Sequence, residues 1–211
     1  MKKILLTTGF ISTLASFGAN AQSFTPQFYA GAELGYTRVD NNAQKLANAL
    51  VATNGGSASV SQNTGIALGR IFGGYKAFEN ADVELGATQT GNINYNFAGV
   101  SRGSTAYAGT TSINVQSLDF SVLLRPSIST GFNNLYVRLG GQWAKEQAST
   151  TGNVTGGNGS VSGTGYIYGL GYDQPIDKTF DARFQINRLA NIAGQSSDKA
   201  TVFSVGFVGK F

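Results

Sequence analysis

Thr201 to Phe211 reads TVFSVGFVGKF, and this stretch decides the fold. Thr201, Phe203, Val205, Phe207, Gly209 and Phe211 occupy alternate positions and are mostly apolar. Val202, Ser204, Gly206, Val208 and Lys210 lie between them and are smaller or polar. Strand side chains alternate between faces, so this run has one oily face and one mixed face. A soluble sandwich turns its oily face inward. A strand with aromatics outside and small, mixed side chains inside suits a wall with lipid around it.

The rest of the chain repeats the pattern. Phe28–Thr37 places Phe28, Ala30, Ala32, Leu34 and Tyr36 opposite Tyr29, Gly31, Glu33, Gly35 and Thr37. Gly65–Phe78 alternates similarly, and charge sets its register: Arg at mid-bilayer costs about 2–4 kcal/mol, so Arg70 points inward. Further runs follow at Ala81–Thr90, Val115–Arg125, Leu135–Ala144, Thr164–Asp173 and Phe180–Leu189. With the last stretch these make about eight strands, each near the ~9–11 residues a tilted membrane strand needs.

The connections sort by length. Glu79-Asn80, the Pro126–Asn134 segment with its turn at Gly131–Asn134, and Gln174–Lys178 are short. Arg38–Thr64, Gly91–Asn114 and Lys145–Ser162 are long, polar and rich in Gly, Ser, Thr and Asn; Ala190–Lys199 is intermediate. Brief turns at one end and long loops at the other mark an outer-membrane barrel. Within the first long segment, Leu46 and Leu50 have helical spacing, but AQKLANAL is too short to hold alone. The segment reads as loop.

Composition agrees. Charged residues are 12% of the 211, about half the usual share. No basic run accompanies the net charge of +4, which excludes a nucleic-acid partner. Met1–Ala21 reads as a cleaved leader: Lys2 and Lys3, an uncharged apolar run over Ile4–Phe17, then Ala19-Asn20-Ala21. That run is shorter than the ~20 residues of a spanning helix. The expected organisation is therefore a signal peptide over 1–21 and one barrel domain over 22–211, placed in the outer membrane.

There is no His and no Cys. A Ser–His–acid triad, a Cys–His pair and a His- or thiolate-based metal site are thus impossible, and we expect no enzyme, cofactor or metal. The inward positions instead hold Glu33, Arg70, Lys76, Glu84, Asp119, Arg138, Asp173, Asp181, Arg183 and Lys210. An eight-stranded barrel has room for packed side chains and little else, so these charges must pair. The network reads as glue between strands, with a switchable ion path as the alternative. Pairing of Glu84 with Arg183 predicts that Glu84→Ala costs more than Gln185→Ala, Gln185 serving as an uncharged inward comparator.

The segments FYAGAELGY, FGGYKAF, VELGA, LYVRLGGQW and DARFQIN resemble those of the OmpA-like small barrels, which include OmpX-type and opacity-type proteins. The resemblance covers nearly all of the chain after the leader except its loops. It implies an eight-stranded up-and-down antiparallel transmembrane β-barrel, inserted by the barrel assembly machinery, which reads a terminal aromatic such as Phe211. It also implies an interior Arg–carboxylate lock, with Glu84 as carboxylate, Arg183 as cation and Asp173 as competitor. The family's interior Lys on the fourth strand has no charged match in SVLLRP, so the resemblance stops short of a complete gate. No peptidoglycan-gripping domain is read up to Phe211, so no cell-wall anchoring is expected. The expected partners are outer-membrane lipid and lipopolysaccharide, the assembly machinery, and a surface ligand met by the long loops. The expected role is structural or surface interaction, the alternative a narrow gated pore.

Overall fold

A computed structural model describes residues 27–126, 134–153 and 158–211. The leader, the cleavage point after Ala21, and most of the turn read at Gly131–Asn134 lie outside them.

Eight strands form the wall: β1 (Gln27–Val39), β3 (Gly65–Phe78), β4 (Ala81–Thr90), β6 (Ala106–Leu124), β7 (Leu135–Gly152), β8 (Gly159–Pro175), β9 (Phe180–Ala190) and β10 (Lys199–Lys210). Every pairing is antiparallel. The wall runs β6-β4-β3-β1-β10-β9-β8-β7 and closes through β6–β7. Closure removes the unpaired edges that an open sheet would expose to lipid. At the chain's end, the Phe211 N–H donates to the Phe28 carbonyl at 2.9 Å.

Alternation sorts the faces as the residues predict. Leu34, Ile71, Leu85, Phe120, Leu139, Tyr168, Phe184, Val205 and Phe207 are all exposed on the outer wall. Arg183 and Glu84 are 1% exposed, inside it. Aromatics mark both edges of the oily band. Tyr36, Trp143, Tyr166 and Phe203 stand at one edge. Phe28 and Tyr75, with ring centres 4.8 Å apart, stand at the other with Phe180 and Phe211. Beyond Trp143 the outward positions of β7 turn polar, with Lys145, Gln147 and Ser149, so the band ends there.

The segments read as long loops are largely structured. The first contains helix α1 (Ala43–Asn54) and strand β2 (Ser57–Gln62); the second contains β5 (Ile93–Val100). β2 pairs with β5, and β5 with the outer half of β6. β6 and β7 continue past the lipid band, paired as far as Gly109↔Gly152. Ala144–Gly152 alone add roughly 30 Å along the strand at about 3.4 Å per residue. α1 holds because tertiary contacts, not its propensity, supply the stability. Its Leu46 packs on a cluster of Ile66, Ile93 and Tyr95.

Candidate functional site

Inward glycines make room for the interior network. A Cβ at Gly86 would collide with the Arg70 guanidinium, and one at Gly171 with the Tyr136 ring. Large side chains thus fill the space that their neighbours across the strand leave empty.

Arg70 holds three carboxylates: Glu33 at 3.3 Å, Glu84 at 2.7 Å and Asp119 at 2.8 Å. Arg138 reaches Asp119 at 2.6 Å and Ser121 at 3.0 Å. Arg183 reaches Glu84 at 2.6 Å and Asp173 at 2.8 Å. Arg125 joins Asp82 at 2.9 Å to Asp173 at 2.7 Å. Glu84 therefore lies between two guanidiniums, and so do Asp119 and Asp173. Rings cover what the carboxylates leave. The Arg183 guanidinium stacks 4.7 Å from Phe72, 5.2 Å from Tyr136 and 5.6 Å from Tyr29.

Glu33, Arg70, Glu84, Asp119, Arg138, Asp173 and Arg183 all join this one network. Asp181 does not; it pairs with Lys210 at 2.6 Å near the barrel's short-turn end. Two members were missed in the sequence, Asp82 and Arg125. Strict alternation would have found them, since Asp82 is two residues before Glu84 and Arg125 two after the inward Leu123. Arg125 belongs to the SVLLRP stretch and bridges Asp82 and Asp173. Gln185 is no silent comparator: it accepts from Arg138 and donates to Glu33.

The inward charges are not spread evenly along the barrel. The charges fill the half toward the short turns. The outer half is an apolar chamber walled by Ile66, Leu68, Ile113, Val115, Ile167 and Val202. The turn Ile192–Gly194 and Ala200 pack with Ala144 beside it. Asp40, Asn42, Glu146, Asp198 and Lys199 form its rim, above the lipid band. Burial, and then the Asp198 carboxylate, raise the Glu146 carboxyl to about 7. Burial, and then the charges of Asp198 and Glu146, push the Tyr95 phenol up to about 12.

A closed antiparallel wall, oily outside and filled with paired charges inside, defines a small membrane β-barrel of the outer-membrane type. The particular assignment follows from the sequence: residues 7–211 match the family model described as outer membrane protein beta-barrel domain, and the chain belongs to that family. Among solved structures the chain is similar to Neisserial surface protein A, with 15% identity over 89% of this chain and 100% of that one, at a TM-score of 0.49. It is similar to Ail, the attachment invasion locus protein of Yersinia pestis in complex with the heparin analogue sucrose octasulfate, with 14% identity over 88% and 99%, at 0.47. It is also similar to the N-terminal barrel domain of Pseudomonas aeruginosa OprF, with 14% identity over 89% and 100%, at 0.43. No curated protein sequence matches.

Proposed function

We propose that this outer-membrane barrel is a non-enzymatic surface-interaction protein whose work is done by the platform outside the lipid band. One observation carries the reading. β5, β2 and the overrunning parts of β6, β7 and β8 extend a sheet with one polar, exposed face beyond the lipid band, while the half of the interior toward the short turns is packed with ion pairs. Strand extensions of this length do nothing for a wall that must only cross lipid.

Among the described residues of that outer end, Arg38, Lys45, Arg102, Lys145, Arg188 and Lys199 stand against Asp40, Glu146 and Asp198. The excess of cations favours an anionic surface as partner. A sulfated polysaccharide is the direct probe. The barrel in lipid nanodiscs should bind immobilised heparin at low salt and elute as salt screens the charges. Substituting Lys45, Arg102 and Lys199 by Gln should abolish retention without altering the folded gel band. Equal retention of both forms, or none by either, would overturn the reading.

Lipid contacts follow the same charges. Arg38 and Lys145 lie one outward position beyond Tyr36 and Trp143, the level at which lipopolysaccharide phosphates meet the wall. The barrel assembly machinery reads Phe211 during insertion, and a leader cut after Ala21 delivers the 22–211 barrel to it.

The second reading, a narrow gated pore, rests on the shared carboxylates. Glu84 has two alternative guanidiniums, as an exchangeable lock requires, and Asp173 has Arg125 as well as Arg183.

A further inference from the structure

The apolar chamber carries three polar atoms that the wall does not satisfy. Among the described residues no hydrogen-bond partner reaches Thr37 Oγ1, Gln142 Nε2 or Asn187 Oδ1. All three residues line the chamber. Each is at least nine-tenths buried: Thr37 is 2% exposed, Gln142 5% and Asn187 3%. A buried polar group left unpaired costs roughly 1–3 kcal/mol in general, so three around one cavity call for an occupant.

We propose that the chamber is a binding site for a small uncharged amphiphile, with a short apolar body and a hydroxyl or primary amide head. The head must both donate and accept, because Asn187 Oδ1 only accepts, Gln142 Nε2 only donates, and Thr37 Oγ1 does either. The body meets Ile66, Leu68, Ile113, Val115, Ile167 and Val202. An anionic head is disfavoured. The network beneath already holds five carboxylates (Glu33, Asp82, Glu84, Asp119 and Asp173) against four guanidiniums (Arg70, Arg125, Arg138 and Arg183). The cavity volume is about 80 Å³, below the ~150 Å³ that houses benzene elsewhere. A head and a few carbons therefore fit, with the end of the body toward the rim. This site lies inside the barrel and goes beyond the platform's surface role, so either can fail alone.

The test uses the full barrel in micelles, isoleucine methyl NMR, and 1-butanol, butanamide and butanoate as probes. Ile66, Ile113 and Ile167 report the chamber, while the lipid-facing Ile71 and Ile186 report partition into the micelle. Saturable shifts confined to the chamber methyls are expected for the alcohol and the amide, in the millimolar range. Butanoate should bind roughly tenfold more weakly. Val115→Phe, which fills the chamber, should abolish the shifts. Asn187→Leu, which removes one unsatisfied acceptor, should weaken binding about tenfold, as loss of one buried hydrogen bond implies. If Val115→Phe gives no folded band, Asn187→Leu and the head-group series decide alone. Non-saturating shifts shared with Ile71 and Ile186 would overturn the proposal. So would silence of the chamber methyls up to about 100 mM probe, which would mean that water alone satisfies the three atoms.

Discussion

At the scale of the residue, Glu84 concentrates the energetics of the interior. Its two oxygens divide between Arg70 and Arg183, at 2.7 and 2.6 Å, and it is 1% exposed. Removing it takes one carboxylate from each of two buried guanidiniums, leaving Arg70 with Glu33 and Asp119 and Arg183 with Asp173, and breaking a buried pair from one side costs about 3–5 kcal/mol. Glu84→Ala should therefore lower the urea midpoint in lipid vesicles far more than Leu85→Ala, whose side chain faces lipid. Adding Arg183→Met to Glu84→Ala should recover part of the loss, because one of the two under-compensated guanidiniums goes too, while Asp173 keeps Arg125. Equal small losses for Glu84→Ala and Leu85→Ala would remove the network from the account. Gly86→Ala tests the same site by volume: a Cβ there meets the Arg70 guanidinium, and such overpacking costs about 1–3 kcal/mol. Glu146 gives a pH prediction. Its carboxyl is raised in the fold from 4.5 to about 7. Its contribution to stability is thus complete below the ordinary carboxylate range and is lost as pH rises through about 7. Amide-exchange protection factors, corrected for the intrinsic rise of exchange with pH, should fall at the outer ends of β6 and β7 across that interval in the native chain and stay level in Glu146→Gln. Identical profiles would refute the assignment.

At the scale of the element, legibility differed sharply between the two halves of the strands. The boundaries of β3 and β4 were read to the residue, because lipid on one side and packing on the other impose strict alternation. The inward charges were legible for the same reason, since an Arg on the lipid face is too costly. Past Tyr36 and Trp143 both constraints lapse. Outward residues meet water, inward ones meet the chamber, and runs such as TSIN (Thr111–Asn114) read as polar loop although they lie in β6. The chamber itself was hidden, because Leu68, Val202 and Ile167 look like lapses in a polar face until they converge. The sequence alone does not carry α1, because eight residues do not make a stable helix; its stability comes from Leu46 on Ile66, Ile93 and Tyr95. Leu46→Asp should therefore release α1 without opening the barrel. Trypsin should then cut at Lys45 much faster, while the unboiled sample keeps its compact gel mobility. Loss of that mobility would show that α1 supports the wall itself.

At the scale of the whole molecule, the barrel is a tube blocked across its middle by ion pairs, with a small apolar chamber on their outer side. From Asp82 and Arg125 through Arg183 and Glu84 to Arg70 and Asp119, ion pairs cross the lumen from wall to wall. An ion moving through must replace these contacts one after another, and each guanidinium left alone in a low-dielectric lumen is heavily penalised. The rings of Phe72, Tyr29 and Tyr136 occupy the space beside them, so water has little room to compensate. The native protein in planar bilayers is thus expected to show no steady current at moderate voltage. Substituting both Arg183 and Arg70 by Ala removes the two guanidiniums that bracket Glu84 and leaves Glu33, Glu84, Asp119 and Asp173 in excess. Where that variant still folds, shown by its heat-dependent gel shift, its lumen should pass cations in preference to anions. A repeatable native current that disappears on Arg183→Ala would reverse the conclusion: the shared carboxylates would then be exchanging partners, and the plug would be a working part of a pore.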